Sequence, residues 1–419
     1  MTLIKNLFLV ATLFLSLNGA AQTVKSYLSN HAIDLSKDIL NRNELDSSFF
    51  NHKLFLLSEI HGIQKGQDID YTMVTMLNRE INLNTYVAEF DFAKAYFLNQ
   101  YLETGNEKLI DDVFDDWVKQ DIQWGNKDFQ NKIRKIRLYN QQLKPNQRIY
   151  FEGIDHIENT VIAARYFKEV LKDPSLQKIS KAFHPLINAL EAKNDSLIIS
   201  ISTGLKSEFE LNPQFKSVSK FEDLRFALKN CMMINSDRET LLHDNFVDLF
   251  KVRNWKDKKL YGFFGFGHVI QAEVNPGKRK SLAVLLAQNE NLPLKGKILS
   301  IVMLYVDSKM MIPTFAIPEA WQDKGKRFSM ITQFNHDGPL LNVEGIADFK
   351  AVTKPNTATL FNLKAKGSPY LLKSLNIKYA DMMPKNMRVL LDEKGKYTTD
   401  YFQYMVLVRN SEATQPVNN

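Results

Sequence analysis

The sequence predicts an α/β fold: a mainly parallel or mixed sheet with helices on both faces, an inserted helical lid and a strand-rich C-terminal region. Three observations predict it. Strand-like and helix-like runs alternate over residues 53–155, the rhythm of strands joined by helical crossovers. From about 158 to 252 the pattern is almost wholly helical, broken near Pro174, Pro213 and Ser236. Beyond Asp323 it changes to short strand-like runs separated by Gly, Pro, Asn and Asp.

Taken in order, Lys5, the apolar stretch Leu7 to Leu17 and the small residues Gly19-Ala20-Ala21 read as a secretory signal peptide over 1–21. No cysteine stands near the cleavage site, so the expected product is periplasmic or secreted, without a lipid anchor. The apolar stretch is too short to span a bilayer, and no other run approaches the ~20 residues required. Val24 to Arg42 is a polar lead-in with one amphipathic helix. Lys53 to Glu59 is a strand. Asp68 to Glu80 carries Ile69, Val74, Met76 and Leu77 at helical spacing. Thr85 to Phe90 is a strand, Ala93 to Thr104 a helix, and Phe129 to Leu143 a basic amphipathic helix stopped by Pro145-Asn146. Arg148 to Asp155 is a third strand, Lys259 to Phe266 a fourth, and Ile298 to Val306 a further buried one. Phe328 to Phe334, Thr359 to Leu363 and Tyr401 to Val408 follow, then a polar tail after Ser411. The expected division is an α/β domain over 22–320 with its helical insertion at about 158–252, and an extension over 321–419.

The 419 residues are 44% apolar with a formal net charge of +7, enough for a large core without disulfides. The single Cys231 sits in a helical pattern and is expected to be buried. The basic clusters Lys278-Arg279-Lys280 and Lys324 to Arg327 lack interleaved aromatics, which argues against nucleic acid as a partner. His31, His52, His184 and His336 lie in polar or loop contexts and are expected at the surface.

The chemistry-bearing residues stand at strand ends: Glu59 and His61, Glu89 with Asp91, Asp155 with His156, and His268. In parallel sheets ligands bind outside the carboxyl ends of the strands, and a buried carboxylate or imidazole there is costly unless paired. Four such ends point to one shared cleft. A histidine oriented by a carboxylate takes a proton from water near neutral pH, and a second, His268, can donate to a leaving group or hold an oxyanion. Glu59, His61, Glu89 and His268 would equally suit a divalent metal. On the 238–252 segment, Arg238 and Asn245 fall on one helix face, positioned to line a pocket above the sheet or to pack against it. No H-E-x-x-H, G-x-S-x-G or P-loop sequence occurs. The insertion's Phe209, Phe215, Phe221, Phe226, Met232 and Met233 suit either its own core or a substrate pocket.

In order along the chain, Ser58-Glu59-Ile60-His61-Gly62, Ala88-Glu89-Phe90-Asp91, Trp124, Ile136 to Asn140, Arg148 to Asp155, Arg238 with Asn245, and Gly267-His268-Val269 resemble the erythromycin esterase-like superfamily. Haem-binding ChaN-type lipoproteins and TraB/TIKI-type metalloproteases are its more distant relatives. The resemblance covers roughly residues 50 to 275. It implies a metal-independent hydrolase of an ester-like or amide-like bond in a small-molecule substrate. His61 would be the base, Glu59, Glu89 and His268 would assist, and Asp155, Arg238 and Asn245 would contact substrate. The E-x-H spacing departs from the esterases' E-x-x-H toward the haem-binding branch. That branch implies haem or a divalent metal held at Glu59, His61, Glu89 and His268 without turnover. The metalloprotease branch implies a metal-dependent hydrolase.

Overall fold

A computed structural model describes residues 24–37, 39–216, 218 and 220–417; the signal-peptide segment expected at 1–21 lies outside them. The strands are β1 (Ala32–Asp34), β2 (Leu54–Glu59), β3 (Thr85–Ala88), β4 (Tyr150–Gly153), β5 (Leu260–Gly265), β6 (Ile298–Val306), β7 (Met310–Pro313), β8 (Phe328–Ile331), β9 (Leu341–Val343), β10 (Ala358–Asn362), β11 (Ile377–Tyr379) and β12 (Tyr404–Arg409). Eight form one sheet in the order β1-β10-β12-β6-β2-β5-β3-β4. From β12 to β4 every neighbouring pair is parallel, while β10 runs antiparallel between β1 and β12. The expected α/β class, with a mainly parallel sheet and helices, is observed. The pairs β7–β8 and β9–β11 form two small antiparallel sheets in the C-terminal region.

β2 and β6 are buried along their whole lengths. That matches their unbroken apolar runs, since a parallel strand covered on both faces has no polar alternation. Ser58 is the one hydroxyl in the β2 run, and its Oγ accepts the Met303 N–H of β6 at 2.8 Å. On one face, the Gln64–Ile81 and Lys127–Gln141 helices bring in Asp70 and Lys132. Lys132 Nζ lies 2.5 Å from Asp70 Oδ2, and Tyr86 of β3 and Tyr261 of β5 donate to the same carboxylate at 2.7 and 2.5 Å. This buried charge pair has its polar atoms engaged, the condition for tolerating it in a core.

The acidic stretch at 111–116 belongs to a helix, Glu107–Lys119, that buries Ile110, Val113, Phe114 and Trp117. Between β4 and β5 lies the expected run of helices. Phe209 stacks on Phe215 at 4.7 Å and on Phe221 at 5.6 Å within the insertion's own core, while the buried Phe226 packs edge-on against Phe92 of the Phe92–Thr104 helix at 6.4 Å. Cys231 is buried and free. Two strands of the 321–419 segment enter the main sheet, with β12 lying between β10 and β6, so a boundary at 320/321 would cut one sheet in two. Nor do residues 412–417 form a loose tail: Ala413 bridges to Ile63 and Pro416 to Asn126. His336 is buried rather than at the surface, because its ring replaces a ladder partner for Tyr305 of β6. Among the described residues no helix is long and apolar enough to cross a membrane.

Candidate active site at the ends of β2, β5, β3 and β4

The register sets Glu59 opposite Gly265, and Ala88 opposite both Phe263 and Gly153. The residues that follow each strand therefore emerge at one level. Glu59 is buried at the end of β2, and its Oε1 lies 2.5 Å from His61 Nδ1 while Oε2 accepts from Gln67 Nε2 at 3.3 Å. Period-two alternation puts Glu59 and His61 on the same side of the chain. Between the two lies only Ile60, which faces the other way.

Gly62 makes the turn after His61 possible. Its φ is +87°, and a Cβ there would sit 2.1 Å from the Met311 carbonyl oxygen, a distance no side chain tolerates. The Gly62 carbonyl accepts from Met311 N and from Thr414 N, each at 2.9 Å. The C-terminal segment and β7 thus clamp the turn that carries His61. Trp124 closes one side of the imidazole, with ring centroids 4.9 Å apart.

Glu89 follows β3. Its Oε2 accepts the Gly265 N–H at 2.6 Å; its Oε1 accepts Arg238 Nη2 at 2.8 Å and lies 3.2 Å from His268 Nε2. The other ring nitrogen of His268, Nδ1, lies 2.5 Å from Glu239 Oε1. Arg238 also reaches Asp155 beyond β4, through Nε at 3.1 Å and Nη2 at 2.5 Å. Among the described residues Arg238 Nη1 and His61 Nε2 make no hydrogen bond. Asn245 lies behind this layer. Fully buried, it donates to the Ile154 carbonyl at 2.9 Å and exchanges amide bonds with Asn230. It shares a helix face with Arg238, as the spacing required, but holds the β4 end from behind and does not face a pocket.

Burial alone would raise the Glu89 carboxyl, but the His268 imidazolium, with Arg238 and His61, overrides it and holds Glu89 at about 2. Burial would lower His268, but Glu89 and Glu239 lift it to about 10. His268 is therefore a standing cation across the neutral range, with both nitrogens turned to carboxylates. Burial opposes the charged form of His61 too, and Glu59 outweighs it, so its pKa lies above the ordinary 6.5. Asp155 is held well below the carboxylate range by His156 and Arg238 against the effect of burial.

These shifts give stability a pH window. Glu89 drops from 4.5 to about 2, so its contribution is complete above 4.5 and lost as pH falls toward 2. His268 rises from 6.5 to about 10, so its contribution is complete below 6.5 and lost as pH rises toward 10. As far as these two groups set it, Tm is expected to fall on both sides of that window. A Tm–pH scan of His268→Asn should lose the alkaline limb; an unchanged limb would contradict the assignment.

Among the described residues no three His, Cys, Asp or Glu side chains are grouped as metal ligands. Where the carboxylates of Glu89 and Asp155 converge, the guanidinium of Arg238 already stands. Sequence reasoning missed Glu239 and Gln67, the partners of His268 and Glu59. Glu239 adjoins Arg238 in the chain, but only helix docking shows that it faces His268.

No family model and no curated protein matches the chain. Solved structures do. A Bacillus cereus protein superposes with a TM-score of 0.68 at 15% identity, covering 94% of this chain and 99% of its own. A succinoglycan biosynthesis protein gives 0.63 at 12%, covering 95% and 99%. The erythromycin esterase EreC, as its H289N mutant in an open conformation, gives 0.54 at 13%, covering 86% and 91%. The likeness is one of fold. It extends well beyond residues 50 to 275 and takes in the C-terminal strands.

Proposed function

We propose that the chain is an exported hydrolase of an ester-like or amide-like bond in a small molecule, with His61 as the base that activates water. The observation that carries this reading is the Glu59–His61 pair at 2.5 Å. Glu59 fixes Nδ1 as the protonated nitrogen and leaves Nε2 directed away from it as the acceptor. The Arg238 guanidinium is near enough for its charge to act on His61, and its Nη1 is uncommitted among the described residues. The fold likeness to EreC supports the reaction class, and the Lys5, Leu7–Leu17, Gly19–Ala21 pattern supports export.

In the reaction, Nε2 removes a proton from water as the oxygen attacks the carbonyl carbon. The electron pair of the C=O bond moves to oxygen, and Arg238 stabilises the resulting anion. Collapse re-forms the carbonyl and breaks the bond to the leaving oxygen or nitrogen, which takes the proton from His61. His268 acts one step back: charged and bonded to Glu89, it holds that carboxylate against Gly265 and Arg238 and so positions the guanidinium. Asp155 holds the same guanidinium from the other side.

Because Glu59 raises the pKa of His61, the base is free only above an ordinary histidine's range. With any ester of a hydrolase panel that is turned over, kcat/KM is expected to rise with pH through a midpoint above 6.5. Glu59→Gln should move that midpoint down and lower the plateau. A midpoint unmoved by this change would show that His61 is not the titrating base.

A further inference from the structure

Against the other face of the β2 and β5 ends lies a cavity of about 240 Å³, larger than the ~150 Å³ that accepts a benzene molecule. Ile60, the residue between Glu59 and His61, forms one part of its wall, and Phe266, just before Gly267-His268, another. The rest comes from the C-terminal region, chiefly Phe334, Leu341, Tyr379 and Met383. The lining side chains are apolar except for Tyr379, whose hydroxyl is taken up by the Val389 N–H and carbonyl, and His336.

His336 is 3% exposed, and burial holds it neutral, with its pKa lowered to about 4. Its tautomer follows from its neighbours. The backbone N–H of Tyr305 points at Nδ1 from 2.9 Å, and an N–H can only donate, so Nδ1 carries the lone pair. The Tyr305 carbonyl, 3.3 Å from Nδ1, already accepts the His336 backbone N–H at 2.8 Å. The proton therefore sits on Nε2, which has no hydrogen-bond partner among the described residues. That Nε2–H is not sealed from solvent, and it belongs to a side chain lining the cavity, so it is a donor open to whatever fills the space.

We infer that this cavity holds the apolar part of the substrate, a ring or medium-length chain bearing one acceptor oxygen that takes the His336 Nε2–H. The inference rests on the hydrolase reading, since what links an occupant of the cavity to a reacting molecule is that the wall residues Ile60 and Gly267 immediately precede His61 and His268 in the chain. It gives the C-terminal region a specificity role and does not need the insertion's aromatic residues, which pack on one another and on the Phe92–Thr104 helix.

Acetophenone and ethylbenzene, which differ in the carbonyl oxygen, serve as probes, with binding read by ligand-observed NMR titration. Acetophenone is expected to bind saturably and about two- to tenfold more tightly than ethylbenzene, the span of one net hydrogen bond. His336→Asn keeps an acceptor for Tyr305 N–H but ends its own amide N–H one atom short of where Nε2 stood, so it should close that gap. Met383→Trp, with Val389→Phe as a second filling variant, should abolish binding of both probes, while His61→Ala leaves binding intact. Kinetically, Met383→Trp should raise KM for 4-nitrophenyl hexanoate and leave 4-nitrophenyl acetate unaffected. No saturable binding, or binding indifferent to both filling variants, overturns the pocket. His61-dependent turnover with both KM values indifferent to filling overturns its substrate role and leaves the hydrolase standing. No turnover with His336-dependent binding intact brings down the hydrolase reading, and the substrate role with it.

Discussion

Replacing His61 by alanine is expected to lower kcat by about a hundred- to ten-thousand-fold on any ester or amide the chain turns over, the usual contribution of a positioned general base. Tm should fall modestly, because Glu59, 3% exposed, loses its imidazole partner. The His61 side chain is 33% exposed and, among the described residues, its one side-chain hydrogen-bond partner is Glu59, which keeps its bond from Gln67. The backbone features that fix the turn, Gly62 and its two N–H donors, are untouched by the change. The loss should be in kcat more than KM, because the imidazole acts on water and not on the substrate's apolar group. Retention of activity in a folded His61→Ala protein, read by circular dichroism beside the assay, would remove the base from this position. Partial recovery by added imidazole would place the missing function at the vacated ring.

The parts of this molecule that were legible in the sequence are those where one residue type has few physical uses. An unbroken run such as Ile298 to Val306 suits a strand buried on both faces, and it is one. Ionisable residues closing four apolar runs predicted a common cleft, and the register brings Glu59, Glu89, Asp155 and His268 together. What remained hidden depended on contacts distant in the chain. β12 lies between β10 and β6, but its sequence marks only a strand, not a place in a sheet. Phe334-Asn335-His336-Asp337-Gly338 has the composition of an exposed turn, yet His336 is buried because Tyr305 needs an acceptor there. Asn245 shares a helix face with Arg238, as the 3.6-residue period requires, but periodicity does not distinguish a residue facing a pocket from one bonded to the Ile154 carbonyl. The assignment of His268 changed for the same reason. Its sequence context allowed a proton donor, whereas the carboxylates flanking both its nitrogens, one of them from a distant helix, make it a fixed cation.

The largest effect on stability is expected from Lys94→Met. Lys94 is fully buried, with Nζ 3.2 Å from Asp116, 4.0 Å from Asp91 and in close contact with Glu158. One cation thus serves three carboxylates, and burial, with Glu158 adding to it, already overrides Lys94 and lifts Asp91 to about 6. Methionine fills the volume but leaves the carboxylates without a counter-charge. Breaking a buried pair from one side costs about 3–5 kcal/mol, a large share of the roughly 5–15 kcal/mol a domain has. The sign of the pH dependence is fixed: without the cation the carboxylates bind protons more readily, so the deficit should shrink as pH falls and widen as it rises. Asp91→Asn added to Lys94→Met should recover part of the loss, because it removes one of the stranded charges. The consequence should also reach the site. Glu158 accepts the Trp117 indole N–H at 2.8 Å, Trp117 stacks on Trp124 at 6.2 Å, and Trp124 packs against His61. A folded Lys94→Met protein at mildly acidic pH should therefore show altered tryptophan fluorescence together with reduced kcat. Denaturant unfolding indistinguishable from the parent chain at both pH 6 and pH 8 would mean that Lys94 is not the counter-charge of these three carboxylates.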